Sequence, residues 1–397
     1  MEVTKTTTGF RRLATASAFA SLFVFALSNT VTPASLYEIG RFYHASDSQL
    51  SWLFRIPMMG FFVAVLLAGR YADKRGKMPM LTVGCAFIAV GAGLFAAAQS
   101  FIVAVIGALL MGMGGGFSEC AAMAAVADLY DSSKRTAMLN GAQISFAVGA
   151  VAAPLAIAKL LHSGMDWRLG YIGTAIFCVV GAVLAGSAWS ARQEKPQAQE
   201  HHGDWRHLVK DRMVLLLSLG ILLYVGAESG QGSWIALYFK KGLQAAGPVA
   251  AASVAFFWAG IGAGRFAATW TSRRLSNYAL ICISLAFAAI CQAALLVVHS
   301  PVVGLATVPL LGFGLAPVWP TILSCAGDEH PMQSGTVFGI VVAAGSLGAA
   351  IFPPTVGQVA DAVGLRHALW ICFILLAVNF GVFLRLWIGK RKGTAVV

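Results

Sequence analysis

Two glutamates lie inside long apolar stretches of this 397-residue chain, where an ionised side chain is costly. Glu119 follows the glycine-rich run 112–118, and Glu228 lies within a second stretch, with Gln231 and Trp234 three and six residues further on. A carboxyl group in such surroundings must be paired, hydrated or protonated. Both glutamates are therefore candidates for carrying a proton. The helical spacing from Glu228 to Trp234 also predicts an acid, an amide and an indole on one face.

For each glutamate a structural role is the alternative, with the carboxyl group bonded to neighbouring main-chain or hydroxyl groups. Arg55 lies about a turn and a half inside another apolar stretch. It could reach the aqueous interface, pair with Glu228, or bind an anionic group of a ligand. Other polar or aromatic side chains in these stretches could line a site or join helices by hydrogen bonds. The predicted ligand-binding residues are Asn29, Arg55, Gln143, Gln231, Trp234 and Trp319.

The composition decides which elements must position these residues. Hydrophobic residues are 58% of the chain and charged residues 11%, against about 25% charged residues in soluble domains. The solvent for most of the chain must therefore be lipid. Spanning blocks are predicted at 13–34, 50–69, 79–98, 101–128, 137–160, 169–189, 213–238, 249–270, 278–298, 301–325, 334–358 and 367–388. The predicted fold is an all-α membrane protein with twelve transmembrane helices.

The division into halves follows from the one long polar segment and from an internal repeat. We predict an N-terminal six-helix half at 1–189, a linker at 190–212 and a C-terminal six-helix half at 213–397. The sequence Gly-Arg-Tyr-Ala at 69–72 is echoed by Gly-Arg-Phe-Ala at 264–267, which supports two pseudo-symmetric halves. Two such halves with a site at mid-membrane are typical of transporters.

The net charge of +12 reflects topology in this interpretation. Most lysines and arginines fall in alternate connections, on the side that also holds both ends of the chain. This bias predicts cytoplasmic termini in a multi-pass protein of the cell (inner) membrane, and it suits anionic lipid headgroups. We expect no nucleic-acid partner.

Other function classes find little support. The chain has no nucleotide-binding loop and no nucleophile–base pair, so we expect no enzyme and no cofactor. The seven cysteines all lie in apolar stretches without a CxxC pair, as small buried hydrophobes do. His201, His202 and His207 could suggest a metal, but 203–212 fits an interfacial amphipathic helix capped by Asp204, and we predict no metal site. The expected partners are a small solute, protons and the bilayer, bound by a monomer.

The segment GRYADKRGK at 69–77 resembles the cytoplasmic loop signature of the major facilitator superfamily. The resemblance implies that this loop latches the two halves in the outward-facing state. It implies that Asp73 lies at the start of helix eleven, near Ser334, and that a basic residue faces the acid that ends helix four. The gating residues so implied are Gly69, Asp73, Arg75, Gly76 and Asp128.

Within that superfamily the chain most resembles the fucose–galactose–glucose:proton symporters. The segments that carry the likeness are 114–122, 139–150, 224–234, 319–326 and 345–354. One position departs from that family's pattern, because Thr32 stands where the family's first helix carries an aspartate. In addition, GAVAAP at 149–154 resembles a motif of drug–proton antiporters.

The leading hypothesis from the sequence is therefore secondary active transport of a small, sugar-like solute by alternating access, with proton symport. The alternative is a proton-driven antiporter that exports a drug, a metallophore or an organic anion. A third possibility, a solute-sensing receptor, is disfavoured by the intact 69–77 loop and by the membrane glutamates.

Overall fold

The computed structural model describes residues 8–130, 132–190, 205–330 and 334–391. Within these ranges twelve helical segments are long and apolar enough to cross a membrane, which confirms the predicted fold class. The helices are α1 (Thr8–Tyr43), α2 (Asp47–Leu50), α3 (Trp52–Arg75), α4 (Lys77–Ala97), α5 (Phe101–Leu129), α6 (Ser132–His162), α7 (Arg168–Ser190), α8 (Trp205–Leu208), α9 (Arg212–Leu237), α10 (Gly247–Thr271), α11 (Asn277–Val297), α12 (Pro301–Leu315), α13 (Val318–Glu329), α14 (Ser334–Val363), α15 (Leu365–Ala368) and α16 (Trp370–Arg391). A π-helical turn, Tyr238–Gly242, extends α9.

By its contacts the chain divides into two units. Unit 1 comprises Met1–Glu38 and Ile56–Glu200, and unit 2 comprises Ile39–Arg55 and His201–Val397. The division near residue 200 lies within the segment 190–212, and the segment 39–55 packs with unit 2. The predicted halves at 1–189 and 213–397 stay a prediction.

In unit 1, α3 and α5 approach each other through glycines. A Cβ atom on Gly112 would lie 2.0 Å from the carbonyl oxygen of Pro57, and one on Gly116 would lie 2.6 Å from that of Phe61. Only a residue without a side chain fits at either position. The glycine-rich run before Glu119 therefore brings α5 against α3.

Unit 2 contains the same packing with the roles of the two helices exchanged. Here α10 supplies Gly260 and Gly264, and α12 supplies Pro309 and Phe313. A Cβ atom on Gly260 would lie 2.1 Å from the oxygen of Pro309, and one on Gly264 would lie 2.4 Å from that of Phe313. Each unit therefore contains one close helix pair in which glycines four residues apart meet a Pro-x-x-x-Phe face.

The linker helix is shorter than predicted. Of the segment 203–212, α8 forms a single turn, and Asp211 follows as the N-cap of α9, accepting a hydrogen bond from the Val214 N–H at 2.9 Å. The predicted cap Asp204, together with His201 and His202, lies outside the described residues.

Candidate functional site

The carboxyl group of Glu228 lies half-buried on α9 and is held from within the same helix. The hydroxyl of Tyr224, one turn earlier, donates a hydrogen bond to Glu228 Oε2. Tyr224 is almost fully buried, so its hydroxyl has little access to water. The guanidinium of Arg265 on α10 adds a favourable electrostatic interaction with the carboxylate. Glu228 is thus a membrane acid with a fixed donor and a neighbouring cation.

Trp319 lies near the same part of α9, at a break in its own transmembrane segment. Helix α12 ends at Leu315 and α13 begins at Val318, with Pro317 between them, and a proline cannot donate the main-chain hydrogen bond that would continue the helix. The half-buried indole packs on Gly345 of α14, where a Cβ atom would lie 3.1 Å from the ring and 3.3 Å from Val225 of α9. Val225 precedes Glu228 by three residues, so α9, α13 and α14 converge beside the acid.

Gln231 and Trp234, which the sequence placed on one face with Glu228, are both buried. The Oε1 atom of Gln231 accepts a hydrogen bond from Nε2 of Gln292 on α11 at 2.9 Å. The indole N–H of Trp234 donates to the carbonyl of Pro353 on α14 at 2.8 Å. These two bonds hold α9 to its neighbours within unit 2, while Nε2 of Gln231 is buried without a hydrogen-bond partner. A ligand-binding role of Gln231 and Trp234 stays a prediction.

Arg55 does not pair with Glu228. Its guanidinium lies over the ring of Trp52, 5.5 Å from the ring centroid, and neither Arg55 nor Glu228 has the other among its described contacts. Trp52 is 45% exposed, so the cation lies at the surface of unit 2. A cation–π contact of this kind is worth about 0.5–1 kcal/mol at an exposed site. The pairing that the sequence allowed is therefore not found.

In unit 1 the predicted residues surround an aromatic cluster. Phe25, Phe61 and Phe146 are each half-buried, and the ring of Phe25 lies 5.9 Å from that of Phe61 and 5.6 Å from that of Phe146. The Phe25 ring covers α5 where a Cβ atom on Gly115 would lie 2.3 Å from it. Glu119, half-buried, stands one turn further along α5.

Two further predicted residues belong to the same region of unit 1. Gln143 precedes Phe146 by three residues on α6, and its amide donates to the sulfur of Met123, one turn beyond Glu119, at 3.6 Å. Asn29 is exposed and lies one turn along α1 from Phe25. The helices thus bring together an acid, two amides and three aromatic rings.

The 69–77 loop is described in part. Gly69, Asp73 and Arg75 lie at the end of α3. The side chains of Asp73, Arg75 and Ser334 are outside the described part of the chain. Gly76 alone connects α3 to α4, with φ 90° and ψ 166°, a conformation that is essentially restricted to glycine. Lys77 forms an ion pair with Asp128 at the end of α5. The gating role that the resemblance implies for Asp128 stays a prediction.

Several residues of these sites were not predicted. Tyr224 lies in the middle of α9 and Arg265 in the last third of α10. The i, i+4 spacing of Tyr224 and Glu228 is a sequence signal that could have indicated their hydrogen bond. Thr32, which stands where the sugar symporters carry an aspartate, accepts a hydrogen bond from the Tyr171 hydroxyl at 2.9 Å, and both residues are buried. Within the described residues, no group of three or more His, Cys, Asp or Glu side chains could hold a metal ion.

Twelve spanning helices, two units and a half-buried carboxyl group in each unit define a polytopic membrane protein of the transporter class. The sequence profile of the Major Facilitator Superfamily matches residues 18–353, so the chain belongs to that superfamily. It is a multi-pass membrane transporter of this type, and such transporters bind small molecules within the membrane.

Relatives and solved structures agree with this assignment. Bypass of stop codon protein 6 of Saccharomyces cerevisiae is 24% identical over 89% of this chain and 78% of its own length. Multidrug resistance protein MdtL of Escherichia coli is 25% identical, over 45% of this chain and 48% of its own length. A bacterial homologue of the human lysosomal transporter Spinster, solved inward-facing and unoccupied, superposes with a TM-score of 0.80 over 95% of this chain and 97% of that chain, at 15% identity. At that identity the likeness shows the fold alone.

Proposed function

We propose that this protein is a proton-coupled antiporter that exports a small amphiphilic solute with an aromatic, cationic part. The observation that carries this proposal is the position of Glu119, one turn from the aromatic cluster of Phe25, Phe61 and Phe146. Aromatic faces attract cations, and the attraction is strongest where water is excluded. An ionised carboxyl group beside such rings favours the same solute.

Competition for the carboxyl group gives a physical basis for exchange. When Glu119 is ionised it favours a bound cation, and when it is protonated that attraction is lost. A solute and a proton that exclude each other from one site cross the membrane in opposite directions as the site is exposed first at one end and then at the other. Glu228, with its donor Tyr224 and its neighbour Arg265, is the second proposed proton carrier.

Uptake of a sugar-like solute by proton symport is the second candidate. It is favoured by the order of the helix motifs that resemble the sugar:proton symporters. It is weakened by Gln231 and Trp234, because the amide oxygen and the indole N–H expected to bind hydroxyl groups are bonded to other parts of unit 2. The similarity to a relative named as a multidrug resistance protein also supports export.

The orientation belongs to the same proposal. The distribution of lysine and arginine supports cytoplasmic termini and, for a bacterial cell, the inner membrane. In that orientation the 69–77 loop is cytoplasmic and the segment 39–55 faces the outside.

The direct test uses everted membrane vesicles that contain the full-length protein and a respiration-driven proton gradient, monitored with a quenched fluorescent amine. We expect ethidium or tetraphenylphosphonium to dissipate the gradient, and glucose, galactose and fucose to leave it unchanged. In intact cells the symport candidate instead requires that one of these sugars makes the medium more alkaline. If a sugar made the medium more alkaline and neither cation dissipated the gradient, the antiport proposal would be wrong and sugar symport would take its place.

The contribution of the acid is tested with Glu119→Gln, which keeps the shape of the side chain and removes its charge. We expect the variant to lose proton-driven ethidium transport and to keep part of its ethidium binding through the aromatic cluster. Glu329→Gln is the matched control, since Glu329 ends α13 and pairs with Lys390 at 2.7 Å. An unchanged pH dependence of transport in Glu119→Gln would remove Glu119 from the role.

A further inference from the structure

The short helix α2, in the connection between α1 and α3, is fixed to α14 by one carboxylate. Asp361 Oδ1 accepts a hydrogen bond from the main-chain N–H of Asp47, and Oδ2 accepts one from that of Ser48, each at 3.0 Å. The first N–H groups of a helix have no partner within the helix. A carboxylate that receives two of them forms charge-assisted hydrogen bonds, which are stronger than neutral ones.

A second contact holds the side chain of Asp47. The Nζ atom of Lys241 lies 2.6 Å from Asp47 Oδ1, and Asp47 itself is buried. Lys241 belongs to the π-helical turn Tyr238–Gly242, and such turns are frequent at functional sites. The lysine side chain remains 46% exposed, so water can reach this ion pair from one side.

The face of α14 below Asp361 is shaped to receive the same segment. Gly357 lies one turn before Asp361, and a Cβ atom there would lie 2.8 Å from the Asp47 carbonyl oxygen and 2.6 Å from the Trp234 ring. The ring of Phe54 in turn packs against Trp234, with 5.6 Å between the centroids. A larger residue at position 357 would therefore prevent the segment from lying against α14 and α9.

We propose that Asp361, Lys241 and Gly357 form a releasable dock for the segment 39–55, and that the segment leaves this dock once in each transport cycle. The segment is continuous with α1 and α3, whose remaining residues belong to unit 1, whereas its own contacts lie in unit 2. A transporter that works by alternating access must open and close each end in turn. The end at which α1 stops and α3 starts cannot open while the segment remains docked.

The chemistry of the contacts suits repeated release. The contacts of Asp361 and Lys241 are hydrogen bonds and an ion pair at a partly exposed rim, and water can replace each of them. Asp361 and Lys241 are thus positioning residues for the transport cycle at the end opposite the 69–77 loop.

The test is hydrogen exchange of main-chain amides in the full-length, detergent-solubilised protein, without any added solute. In Asp361→Asn we expect the amides of residues 47 and 48 to exchange about tenfold faster or more, because two charge-assisted bonds are weakened. We also expect slower exchange in 69–77, since opening at one end accompanies closure at the other. Lys241→Ala, at an exposed position, should likewise speed exchange at 47 and 48 and slow it in 69–77. This variant replaces Asp361→Asn in the test if Asp361→Asn is not produced as folded protein.

Asp166→Asn is the matched control. Asp166 also bonds a main-chain N–H near a helix start, that of Arg168 at 2.9 Å, but it lies within unit 1. In Asp166→Asn, main-chain amides at 45–50 and at 69–77 should exchange at the wild-type rates. Faster exchange confined to 45–50, with 69–77 unchanged, would identify a static loop contact and overturn the proposal, as would unchanged exchange at both places.

Discussion

The indole N–H of Trp234 donates a hydrogen bond to the main-chain carbonyl of Pro353, across the packed interface of α9 and α14. Prolines have no N–H, and a proline inside a helix leaves a carbonyl one turn earlier without its usual donor. Helix α14 carries two adjacent prolines, Pro353 and Pro354. The carbonyls that these prolines leave without a helical donor are those of Ala349 and Ala350, one turn before Pro353. The bond from Trp234 to the Pro353 carbonyl instead gives the buried indole N–H an acceptor and joins α9 to α14 at this point.

Trp234→Phe removes that donor and part of the buried volume. We expect the variant to lose about 2–3 kcal/mol of unfolding free energy, from one lost hydrogen bond between helices and a small cavity. Thermal or denaturant unfolding of the purified protein measures this loss. Trp189→Phe is the control, because Trp189 is 54% exposed, and it should stay within about 0.5 kcal/mol of the wild type. Equal effects of the two substitutions would contradict the structural role of Trp234.

Tyr224→Phe tests the donor that holds Glu228. Without the phenol the ionised carboxyl group loses a hydrogen bond, and the protonated form gains relative to it. The pH profile of transport should therefore move towards higher pH. Transport measured across a pH series checks this shift.

Tyr171→Phe is a suitable control for that experiment. Tyr171 is buried, and its hydroxyl donates to a threonine hydroxyl and not to Glu228. Its substitution should lower stability and leave the pH profile in place. If the pH profile of transport is the same in Tyr224→Phe and in the wild type, Glu228 does not carry the coupled proton.

The predictability of these features depends on the range of the interactions that decide them. The spans were predictable because a helix that crosses a membrane requires about twenty consecutive apolar residues, and such a run is visible in the local sequence. The partners of Gln231 and Trp234 lie 61 and 119 residues away, and the rotation of α9 that buries both is set by packing. The docking of Asp47 depends on Asp361, 314 residues away, so no local pattern could indicate it.

Arg55 and Glu228 should behave as independent residues. Arg55 lies over Trp52 and Glu228 is bonded to Tyr224. The unfolding free-energy changes of Arg55→Ala and Glu228→Ala should therefore add in the double variant to within about 0.5 kcal/mol. A positive control is the pair Tyr224→Phe and Glu228→Gln, whose members touch and should deviate from additivity. Rescue of either single variant by the double variant would restore the direct pairing that the sequence allowed.

The ion pair of Lys77 and Asp128 should contribute modestly to gating. Both side chains are partly exposed, 25% for Lys77 and 64% for Asp128, and exposed pairs are worth about 0.2–1 kcal/mol. Asp128→Asn should therefore change the ratio of the outward-open to the inward-open state up to about fivefold.

Asp73→Asn should shift the population to the inward-open state, as the resemblance of 69–77 implies. Spin-label distances across the predicted cytoplasmic end measure both, and unchanged distributions would contradict a latch.

Gly76 should be the most sensitive position of the 69–77 loop for folding. It is the single residue between α3 and α4, at φ 90° and ψ 166°, and a Cβ atom in that conformation costs about 1–3 kcal/mol. Gly76→Ala should lower stability by that amount and disturb Lys77, the next residue, which bonds Asp128. Gly93 in α4 is the matched control, because nothing lies within 4 Å of a Cβ atom placed there and its conformation is helical. Gly93→Ala should leave the unfolding free energy unchanged or raise it by up to about 1 kcal/mol. If Gly76→Ala is as stable as Gly93→Ala, the connection between α3 and α4 does not need a positive φ at residue 76.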